Sequence, residues 1–384
     1  MFIVSLSMLQ FKNYRQGSFS FVPGINCFTG SNGAGKTNIL DAIYYLSFCK
    51  GFNNAADLQN IKLNEDFFML QGQYQVNGAA DELYCGVKRG QKKIFKRNKK
   101  EYERLSDHIG LYPLVLIYPG DVQLILGGSD ERRKFLDGVI SQYNKEYLHR
   151  LLDYNKALQQ RNSLLKLFVE KRYFDEASLE IWDEQLISNG VYINKVRNDF
   201  FHEFKDVFSF HYKHLSGASE ETDIFYESAL NEQNFRQLLK SSRKRDLALQ
   251  HTSVGIHKDN LVFLLEGQPL KKFGSQGQQK TYVIALKLAQ YKFIKEIKAV
   301  EPILLFDDIF DKLDPQRVEI LLSLVSGKEF GQVFITDTHK ERLESILGQI
   351  TTKSRLFEVS DGEIISSRDF APSPDKVIDQ NKRS

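Results

Sequence analysis

The sequence predicts an α/β fold that is interrupted by an inserted helical hairpin domain. A glycine-rich loop at residues 30–37 lies between an apolar strand-like run and an amphipathic helical run. From about residue 130, apolar residues recur at the three- and four-residue spacing of helices over two successive stretches. Strand-like apolar runs return after residue 253. We therefore expect one α/β unit whose chain leaves to build the hairpin and then comes back.

The glycine-rich loop has the complete GxxxxGK[ST] pattern of a phosphate-binding loop. Its residues are Gly30, Ser31, Asn32, Gly33, Ala34, Gly35, Lys36 and Thr37. The glycines allow a tight turn that directs backbone N–H groups at a β-phosphate, and the positive end of the following helix adds to this field. Lys36 can reach the β and γ oxygens, and the Thr37 hydroxyl is a ligand for Mg²⁺. A glycine-rich turn without a ligand is the alternative interpretation.

The composition indicates real hydrophobic cores and a weak overall electric field. Apolar residues make up 42% of the chain, and the formal net charge is +3. Any nucleic-acid binding must therefore depend on local basic patches. Cys27, Cys49 and Cys85 lack metal-ligand spacing, which predicts buried thiols in a reducing cytosol. The sequence shows no signal peptide and no apolar run of ~20 residues, so we expect a soluble, cytoplasmic protein without membrane contact.

The length of the chain exceeds that of a usual single core, and we expect more than one lobe. The predicted division is a strand-rich lobe with the phosphate loop at residues 1–125, a helical domain at residues 126–250 and a second lobe at residues 251–371. The hairpin should turn within residues 170–177, with arms of ~35 residues and ~50 Å. We expect its apolar stripe to pack within the domain, and contact with a partner is the alternative. The polar tail at residues 372–384 should be disordered.

A second motif, at residues 303–308, is an apolar run that ends in two carboxylates. It has the Walker B pattern of a buried parallel strand, in which Asp307 would hold Mg²⁺ through water, opposite Thr37. Asp308 stands where a general base for the attacking water belongs, but its side chain is one methylene shorter than the usual Glu, so we expect slow turnover. Lys36, Asp307 and Asp308 are thus the predicted catalytic groups. A solvated acidic turn is the alternative interpretation.

A Ser-Gln-Gly-Gln string opens an apolar helix about thirty residues before this strand. A helix N-terminus with a serine hydroxyl suits a phosphate group. Because one molecule already has a γ-phosphate cradle, we expect Ser275, Gly277 and Gln278 to complete the site of a second molecule. After the Walker B run, residues 311–315 have the pattern of a D-loop. Residues 334–339 follow their strand at the position of a γ-phosphate switch.

The order of these motifs resembles that of ATP-binding-cassette ATPases with a split head, similar to SMC and Rad50, although the hairpin is far shorter than their coiled coils. Over nearly its whole length the chain resembles the RecF family of bacterial recombination and replication-repair proteins. The matching segments are residues 9–15, 30–39, 41–43, 118–125, 130–137, 154–162, 255–259 and 335–338. The most family-specific strings are Arg-Arg-Lys-Phe-Leu-Asp, ending at Asp137, and Tyr-Asn-x-x-Leu-x-x-Arg-Asn, starting at Tyr154. The resemblance implies an α+β lobe with a P-loop ABC-type ATPase head.

The resemblance implies that the protein binds ATP with Mg²⁺, forms a homodimer around the nucleotide, binds DNA and releases it through weak, DNA-stimulated hydrolysis that serves regulation. It also implies that the protein acts with RecO and RecR to load the recombinase RecA at gapped DNA. The processes served would be DNA repair, replication and recombination, with a link to the SOS response. Carried onto this chain, the nucleotide of the same subunit would be served by Lys36, Thr37, Asp307 and Asp308, and that of the partner by Ser275, Gly277 and Gln278. Arg15 would approach the phosphates or the ribose.

The chain departs from the family pattern in three places. Residues 51–53 read Gly-Phe-Asn where the family usually shows Ser-x-Arg. Ile256 and Lys258 change the family string Gly-Pro-His-Arg-Asp, and Gly274 stands where Leu usually precedes the signature. These changes leave the nucleotide motifs intact but argue against a specific DNA or partner contact by those positions. Gln123 is the candidate for the Q-loop glutamine.

The richest basic cluster has eight positive charges at residues 88–100, with Phe95 among them. Such a cluster can neutralise DNA phosphates without reading base sequence. The candidate DNA contacts at its centre are Lys92, Lys93, Lys96 and Arg97. Residues 132–133 and 243–245 are weaker candidates. A solvated basic hairpin is the competing interpretation.

Two other functions fit parts of the pattern. One is an energy-coupling ATPase subunit of a membrane transporter, whose cassette is usually uninterrupted, with ~100 residues between phosphate loop and signature. Here that gap is about 240 residues and contains the hairpin, which disfavours a transporter. The other is a catalytically idle head, which the short side chain of Asp308 leaves open and which a measured turnover would exclude.

Overall fold

The structure, a computed structural model, describes residues 1–52, 56–217, 220–310, 315–327, 329–348 and 352–371. The predicted tail at residues 372–384, residues 311–314 of the predicted D-loop, and Asn53 lie outside these ranges. Contacts within the chain define two compact units, one formed by residues 1–121 with the described residues from 290 onward, the other by residues 122–289. The second unit thus extends beyond the predicted end of the helical domain at residue 250.

The described residues form strands and helices in a mixed order. The strands are β1 Phe2–Phe11, β2 Tyr14–Ser20, β3 Ile25–Thr29, β4 Phe67–Val76, β5 Ala79–Lys88, β6 Ile94–Arg97, β7 Lys100–Glu101, β8 Leu114–Ile117, β9 Thr222–Glu227, β10 Asn260–Leu265, β11 Gln268–Pro269, β12 Ile303–Asp307, β13 Val333–Asp337, β14 Ser354–Ser360 and β15 Glu363–Phe370. The helices are α1 Lys36–Phe48, α2 Gln123–Leu126, α3 Ser129–Tyr143, α4 Lys145–Lys171, α5 Glu176–Ser216, α6 Phe235–Leu249, α7 Leu270–Phe273, α8 Gln276–Lys298, α9 Pro315–Ser326 and α10 Lys340–Leu347.

The central sheet of the first unit has the strand order β15-β14-β3-β13-β12-β8. Its strands run parallel except for β15, which pairs antiparallel with β14. Every residue of β3, β12 and β13 is buried, which explains their apolar runs without alternation. Because parallel strands share one carboxyl edge, the residues that end β3, β12 and β13 meet there: Gly30 follows β3, and Asp307 and Asp337 end the other two.

A second, antiparallel sheet in this unit has the order β2-β1-β4-β5-β6-β7. One continuous hydrophobic core joins both sheets to α1. Aromatic rings dominate part of this core, with the rings of Phe21 and Phe334 4.9 Å apart and those of Phe28 and Phe357 5.2 Å apart. The sheet strands on either side of the phosphate loop are therefore firmly packed. Cys27, Cys49 and Cys85 are free and buried, as expected.

The second unit is built on the hairpin of α4 and α5, beside the small sheet β11-β10-β9. The helices have 27 and 41 residues, or about 40 and 62 Å. The connection lies at residues 172–175, where Arg172 has a φ of 50° and Asp175 caps α5 by accepting from the Ser178 amide at 3.3 Å. The first predicted arm is two helices, because Asn144 ends α3 and caps α4 through the Tyr147 amide at 2.9 Å.

The interior of this unit contains a fully buried arginine, Arg161, between two carboxylates. Its Nε donates to Asp183 Oδ1 at 2.6 Å, and its Nη1 donates to Asp246 Oδ2 at 2.7 Å. Thr252 Oγ1 accepts a further bond at 2.9 Å. Burying an arginine is costly unless it is paired and hydrogen-bonded, and the two carboxylates meet that condition. The hairpin core is therefore partly ionic and not only the apolar stripe that its periodicity predicts.

A second buried arginine, Arg197, joins three segments that are distant in sequence. It donates to Asp259 Oδ2 at 2.7 Å and to Asp137 Oδ1 at 2.8 Å. Asp137 ends one of the family-specific strings, and Arg161 lies in the other. These strings thus hold the second unit together from inside, which gives them a structural role.

Candidate nucleotide-binding site

The phosphate loop connects β3 to α1 with three glycines in left-handed backbone conformations. The φ angles of Gly30, Gly33 and Gly35 are 150°, 82° and 114°. A Cβ at Gly30 would lie 2.1 Å from the Val359 carbonyl oxygen, and a Cβ at Gly35 would lie 2.7 Å from the side-chain nitrogen Nδ2 of Asn13. Glycine is therefore required at these two positions by both backbone conformation and space.

The turn from β1 to β2 and the first residue of β2 support the loop from one side. Asn13 Nδ2 donates to the Ala34 carbonyl at 3.2 Å, and the Tyr14 hydroxyl donates to the Gly35 carbonyl at 3.3 Å. These contacts fix the carbonyls of the loop, so its N–H groups can point elsewhere. The sequence marked Asn13 and Tyr14 only as family matches. Arg15 follows them on β2 with an exposed side chain.

The Lys36 side chain is buried, with 7% of its surface exposed, and lies against the loop. Its Nζ donates to the Gly30 carbonyl at 2.7 Å and to the Ser31 carbonyl at 2.9 Å. Phosphate oxygens form stronger, charge-assisted bonds with an ammonium than carbonyls do. The lysine is thus held within the loop, where phosphate oxygens would compete for it.

Thr37 and Asp307 meet across the unit although 270 residues separate them. Thr37 Oγ1 donates to Asp307 Oδ1 at 2.8 Å. Thr336, at the end of the neighbouring strand β13, donates to the same oxygen at 2.8 Å. Burial raises the pKa of Asp307 above its ordinary value, while these two hydrogen bonds act in the opposite direction. The predicted metal ligands are therefore adjacent. Thr336, which the sequence placed only within the predicted switch, lies beside them as well.

Asp308 continues from β12 in an unusual conformation. Its φ is 49°, which is uncommon for a residue with a side chain, and its amide donates to Thr336 Oγ1 at 3.0 Å. Its Oδ1 is buried and has no hydrogen-bond partner among the described residues. A buried, unpaired carboxylate oxygen is costly and is typical of a site that awaits a ligand or water. The Oδ1 atom of Asp308 is thus shielded from solvent, unlike that of a solvated acidic turn, and the role of Asp308 as the general base stays a prediction.

These residues fit a nucleoside triphosphate with Mg²⁺. The hydroxyl of Thr37 and the carboxylate of Asp307 are the oxygen ligands that Mg²⁺ prefers. The loop supplies positive-φ glycines, a lysine and the N-terminus of α1, which together suit phosphate groups. The unpaired oxygen of Asp308 offers an acceptor for a water molecule.

The predicted switch after β13 centres on a buried carboxylate, Asp337, with 1% exposure. Its Oδ1 accepts from the His339 amide at 2.9 Å. Arg342 Nε lies 3.4 Å from its Oδ2. The His339 ring is largely exposed. The backbone after β13 is thus fixed by Asp337, and the histidine ring extends towards solvent.

The predicted signature lies in the second unit, at the start of α8. Ser275 and Gln278 form a capping box, in which the Gln278 amide donates to Ser275 Oγ at 3.2 Å and the Ser275 amide donates to Gln278 Oε1 at 2.7 Å. Gln278 Nε2 also donates to Glu220 at 2.7 Å. Ser275 is exposed and Gly277 partly so. Gln123, the Q-loop candidate, is exposed at the first position of α2.

Two of the four candidate DNA contacts have structural partners. Lys93 Nζ lies 2.8 Å from Asp57 Oδ2, and Arg97 Nη2 lies 2.8 Å from Asp81 Oδ2. The Lys93 pair connects the β5–β6 loop to Asp57 outside the β5–β7 region, and the Arg97 pair joins β6 to β5 within it. A cation that is already paired gains less from a DNA phosphate, which weakens the prediction at these two positions.

The other two candidates are Lys92 and Lys96. Lys92 is exposed, and the Lys96 ammonium lies 5.9 Å from the ring centre of Tyr84. Phe95, in contrast, is buried, with 1% exposure. The aromatic residue within the cluster therefore belongs to the core and cannot stack on a base.

The weaker basic candidates also have partners inside their own unit. Arg132 Nε donates to Asn260 Oδ1 at 3.0 Å, and Arg133 Nη1 donates to the Asp259 carbonyl at 2.6 Å. Arg243 forms an ion pair with Glu176. These arginines stabilise the second unit. Lys244 and Arg245 have exposed side chains.

The architecture and the site together define a class of protein. A family model described as an AAA domain matches residues 5–298. An Smc head domain derived from Pyrococcus furiosus aligns with a TM-score of 0.57 at 17% identity, over 96% of each chain, a likeness that shows the fold alone. The chain therefore has the fold of an SMC-like, ABC-type ATPase head, with a helical hairpin inserted. Within the described residues, no helix has both the length and the apolar character that a membrane crossing requires.

The chain belongs to the RecF family. A DNA replication and repair protein RecF from Phocaeicola vulgatus is 49% identical over 97% of this chain and 100% of the relative. The protein of the same name from Flavobacterium johnsoniae is 47% identical over 94% and 100%. Among solved structures, the recombination mediator protein RecF of the RecFOR pathway, in its ATP form, aligns with a TM-score of 0.86 at 30% identity, over 96% and 98%. The family prediction is confirmed.

Proposed function

We propose that this protein is an ATP-gated DNA-binding protein of DNA replication and recombinational repair. The observation that carries the proposal is the meeting of Thr37, Asp307 and Thr336 beside the phosphate loop. Relatives at nearly half identity carry the name DNA replication and repair protein RecF, and a similar solved structure is named for its ATP form. Both support an ATP site that serves DNA repair.

Binding would begin with the triphosphate in the loop. Lys36 would exchange its two carbonyl acceptors for phosphate oxygens, which are stronger acceptors. Thr37 and Asp307 would hold Mg²⁺, which shields the phosphate charge and activates the terminal phosphoryl group when bound. Thr336 keeps the Asp307 carboxylate oriented. Arg15, exposed next to the residues that support the loop, would contact the phosphates or the ribose.

Hydrolysis would be slow and regulatory. Asp308 would accept a proton from the attacking water, and its unpaired oxygen supports that role. Its short side chain places the carboxylate farther from the water than a glutamate would. A slow base favours a long-lived ATP state, which suits a protein that holds DNA and releases it on hydrolysis. Stimulation by DNA would follow from closer alignment of that water.

The ATP state would be a homodimer. Ser275 is exposed and Gly277 partly exposed where a long helix begins, and the N-terminal amides of this helix suit a phosphate of a second subunit. Gln278 would have to leave its bonds to Ser275 and Glu220 in order to reach that nucleotide. Closing two heads around two nucleotides would form a clamp for gapped DNA. Partners of the RecO and RecR kind, RecA loading and a link to the SOS response follow from the family, in a cytoplasmic setting.

The test is the mass of the protein in solution, without nucleotide, with Mg²⁺ and ATP, and with a gapped duplex added. We expect a monomer that becomes a dimer with ATP, and more so on DNA. The Lys36→Met variant should stay monomeric in all three conditions. A wild-type monomer under every condition would contradict the clamp. Dimerisation without any turnover would instead indicate an idle head.

A further inference from the structure

The end of the helical hairpin presents apolar side chains to solvent. We define the hairpin end as residues 166–174, which comprise the last turn of α4 and most of its connection to α5. Val169, Tyr173 and Phe174 are 40%, 62% and 41% exposed. Both aromatic rings contact the buried ring of Phe168, whose centre lies 5.3 Å from that of Phe174 and 6.4 Å from that of Tyr173. Exposed apolar groups held in place this way are typical of an interaction surface.

The charge of the hairpin end is positive. Lys166, Lys171 and Arg172 are exposed, and none of them forms an ion pair with any described residue. Glu170 is the acidic residue of the segment. The next carboxylate, Asp175, is occupied as the cap of α5. Hydrogen bonds from Ser178 lower the pKa of Asp175, so this carboxylate stays charged. Within residues 166–174, three cations outnumber the one carboxylate of Glu170, and this excess favours an anionic partner.

Helix α6 extends this basic character. Leu247 packs against the small cluster of Leu165, Phe168 and Leu179, so the end of α6 lies beside the hairpin end. Lys244 and Arg245 are exposed on this helix. The second unit thus carries exposed positive charges on α6 as well as at the hairpin end.

We propose that the hairpin end is a contact for single-stranded DNA, in which Tyr173 and Phe174 stack on bases while Lys171 and Arg172 neutralise phosphates. Aromatic rings beside cations suit unpaired bases of any sequence, because every base has a face to stack. A duplex hides those faces, so its gap is the part that this surface would engage. The proposal rests on the proposed function, since it names where a DNA-binding protein would touch its DNA.

The experiment measures the affinity of the full chain, with Mg²⁺ and ATP, for a labelled thymidine oligonucleotide over a series of salt concentrations. Replacing Tyr173 and Phe174 together by Ala should weaken binding by about tenfold or more per stacked base. Lys171→Ala with Arg172→Ala should lower the slope of log affinity against log salt by about 1.4. The matched control is Phe210→Ala with Lys213→Ala, an exposed aromatic and an exposed lysine about 50 Å farther along α5. It should bind like wild type.

Crosslinking of an oligonucleotide that contains 5-bromodeoxyuridine provides a second measurement, and the attached peptide should contain Tyr173 or Phe174. If all variants bind like wild type and the crosslinks map elsewhere, the proposal is overturned while DNA binding stands. If the variants change only the mass of the ATP form, the hairpin end contacts a second copy and the proposal is wrong. If wild type binds no DNA at all, the proposed function itself fails.

Discussion

Acidification should destabilise the first unit through one buried histidine, His108. Its Nε2 lies 2.7 Å from the Leu46 carbonyl, and its Nδ1 lies 3.1 Å from the Tyr102 hydroxyl. A neutral ring satisfies both by donating to the carbonyl and accepting from the hydroxyl. Burial lowers the pKa of His108 from 6.5 to about 4. A proton on this ring would therefore be an unfavourable charge in the core.

The sign of the pH effect follows from the two pKa values. His108 binds its proton at higher pH in the unfolded chain than in the folded chain. The contribution of the neutral ring to the free energy of unfolding is therefore complete above pH 6.5 and is lost as the pH falls towards 4. At pH 5 the loss amounts to about 2 kcal/mol in the free energy of unfolding. For a unit of this size that corresponds to about 4–8 °C in Tm.

Calorimetry at pH 7 and pH 5 is the assay, because the single tryptophan, Trp182, lies in the second unit. His108→Gln should be less stable than wild type at pH 7, since it loses ring packing, yet it should lose about 2 kcal/mol less between pH 7 and pH 5. His202→Gln, at an exposed position on α5, should behave like wild type. His257, whose pKa burial also lowers to about 4, is unchanged in all three proteins. Equal losses in wild type and His108→Gln would refute the reasoning.

Three further changes test the candidate site. Thr336→Val removes two hydrogen bonds that hold Asp307 and Asp308, and should raise the Mg²⁺ concentration needed for ATP binding by about tenfold. A Mg²⁺ titration of nucleotide affinity measures this change, and Thr336→Ser, which keeps the hydroxyl, should bind ATP at the wild-type Mg²⁺ concentration. Asp308→Asn should slow turnover by about a hundredfold and prolong the ATP dimer, as followed by mass over time, whereas unchanged turnover would exclude it as the base. Ser275→Arg should block the ATP dimer while ATP affinity stays within about twofold of wild type, because the ATP site on the first unit of the same subunit is intact. Dimerisation as in wild type would contradict the two-subunit model.

The phosphate loop and the Walker B strand could be predicted because their constraints are local. Three glycines at left-handed positions and an all-buried strand such as β12 each leave a pattern in adjacent residues. Thr336 could not be found in this way, since its contact with Asp307 depends on the order of strands in the sheet. The break at Asn144 had a sequence signal, an N-cap residue before a helical run, which the apolar periodicity across it obscured.

Charge was the least informative part of the sequence. Lys93 and Arg97 lie in the densest basic cluster, but their partners Asp57 and Asp81 are 36 and 16 residues away. Only the folded sheet brings those carboxylates close. The same holds for Arg161, whose partners Asp183 and Asp246 are 22 and 85 residues away. Long-range ion pairing leaves no local pattern, and the sequence could not separate DNA contacts from structural charges.

The buried arginine of the second unit constrains how this family can diverge. Arg197 donates to both Asp137 and Asp259, so the loss of the arginine alone leaves two carboxylates without their cation, at a cost of about 3–5 kcal/mol. The loss of one aspartate leaves the arginine paired with the other. Replacement of the whole set by apolar residues of similar volume carries no such penalty. We therefore expect correlated substitution: distant relatives that replace the arginine should also have replaced both aspartates, whereas relatives that lack a single aspartate should be more frequent.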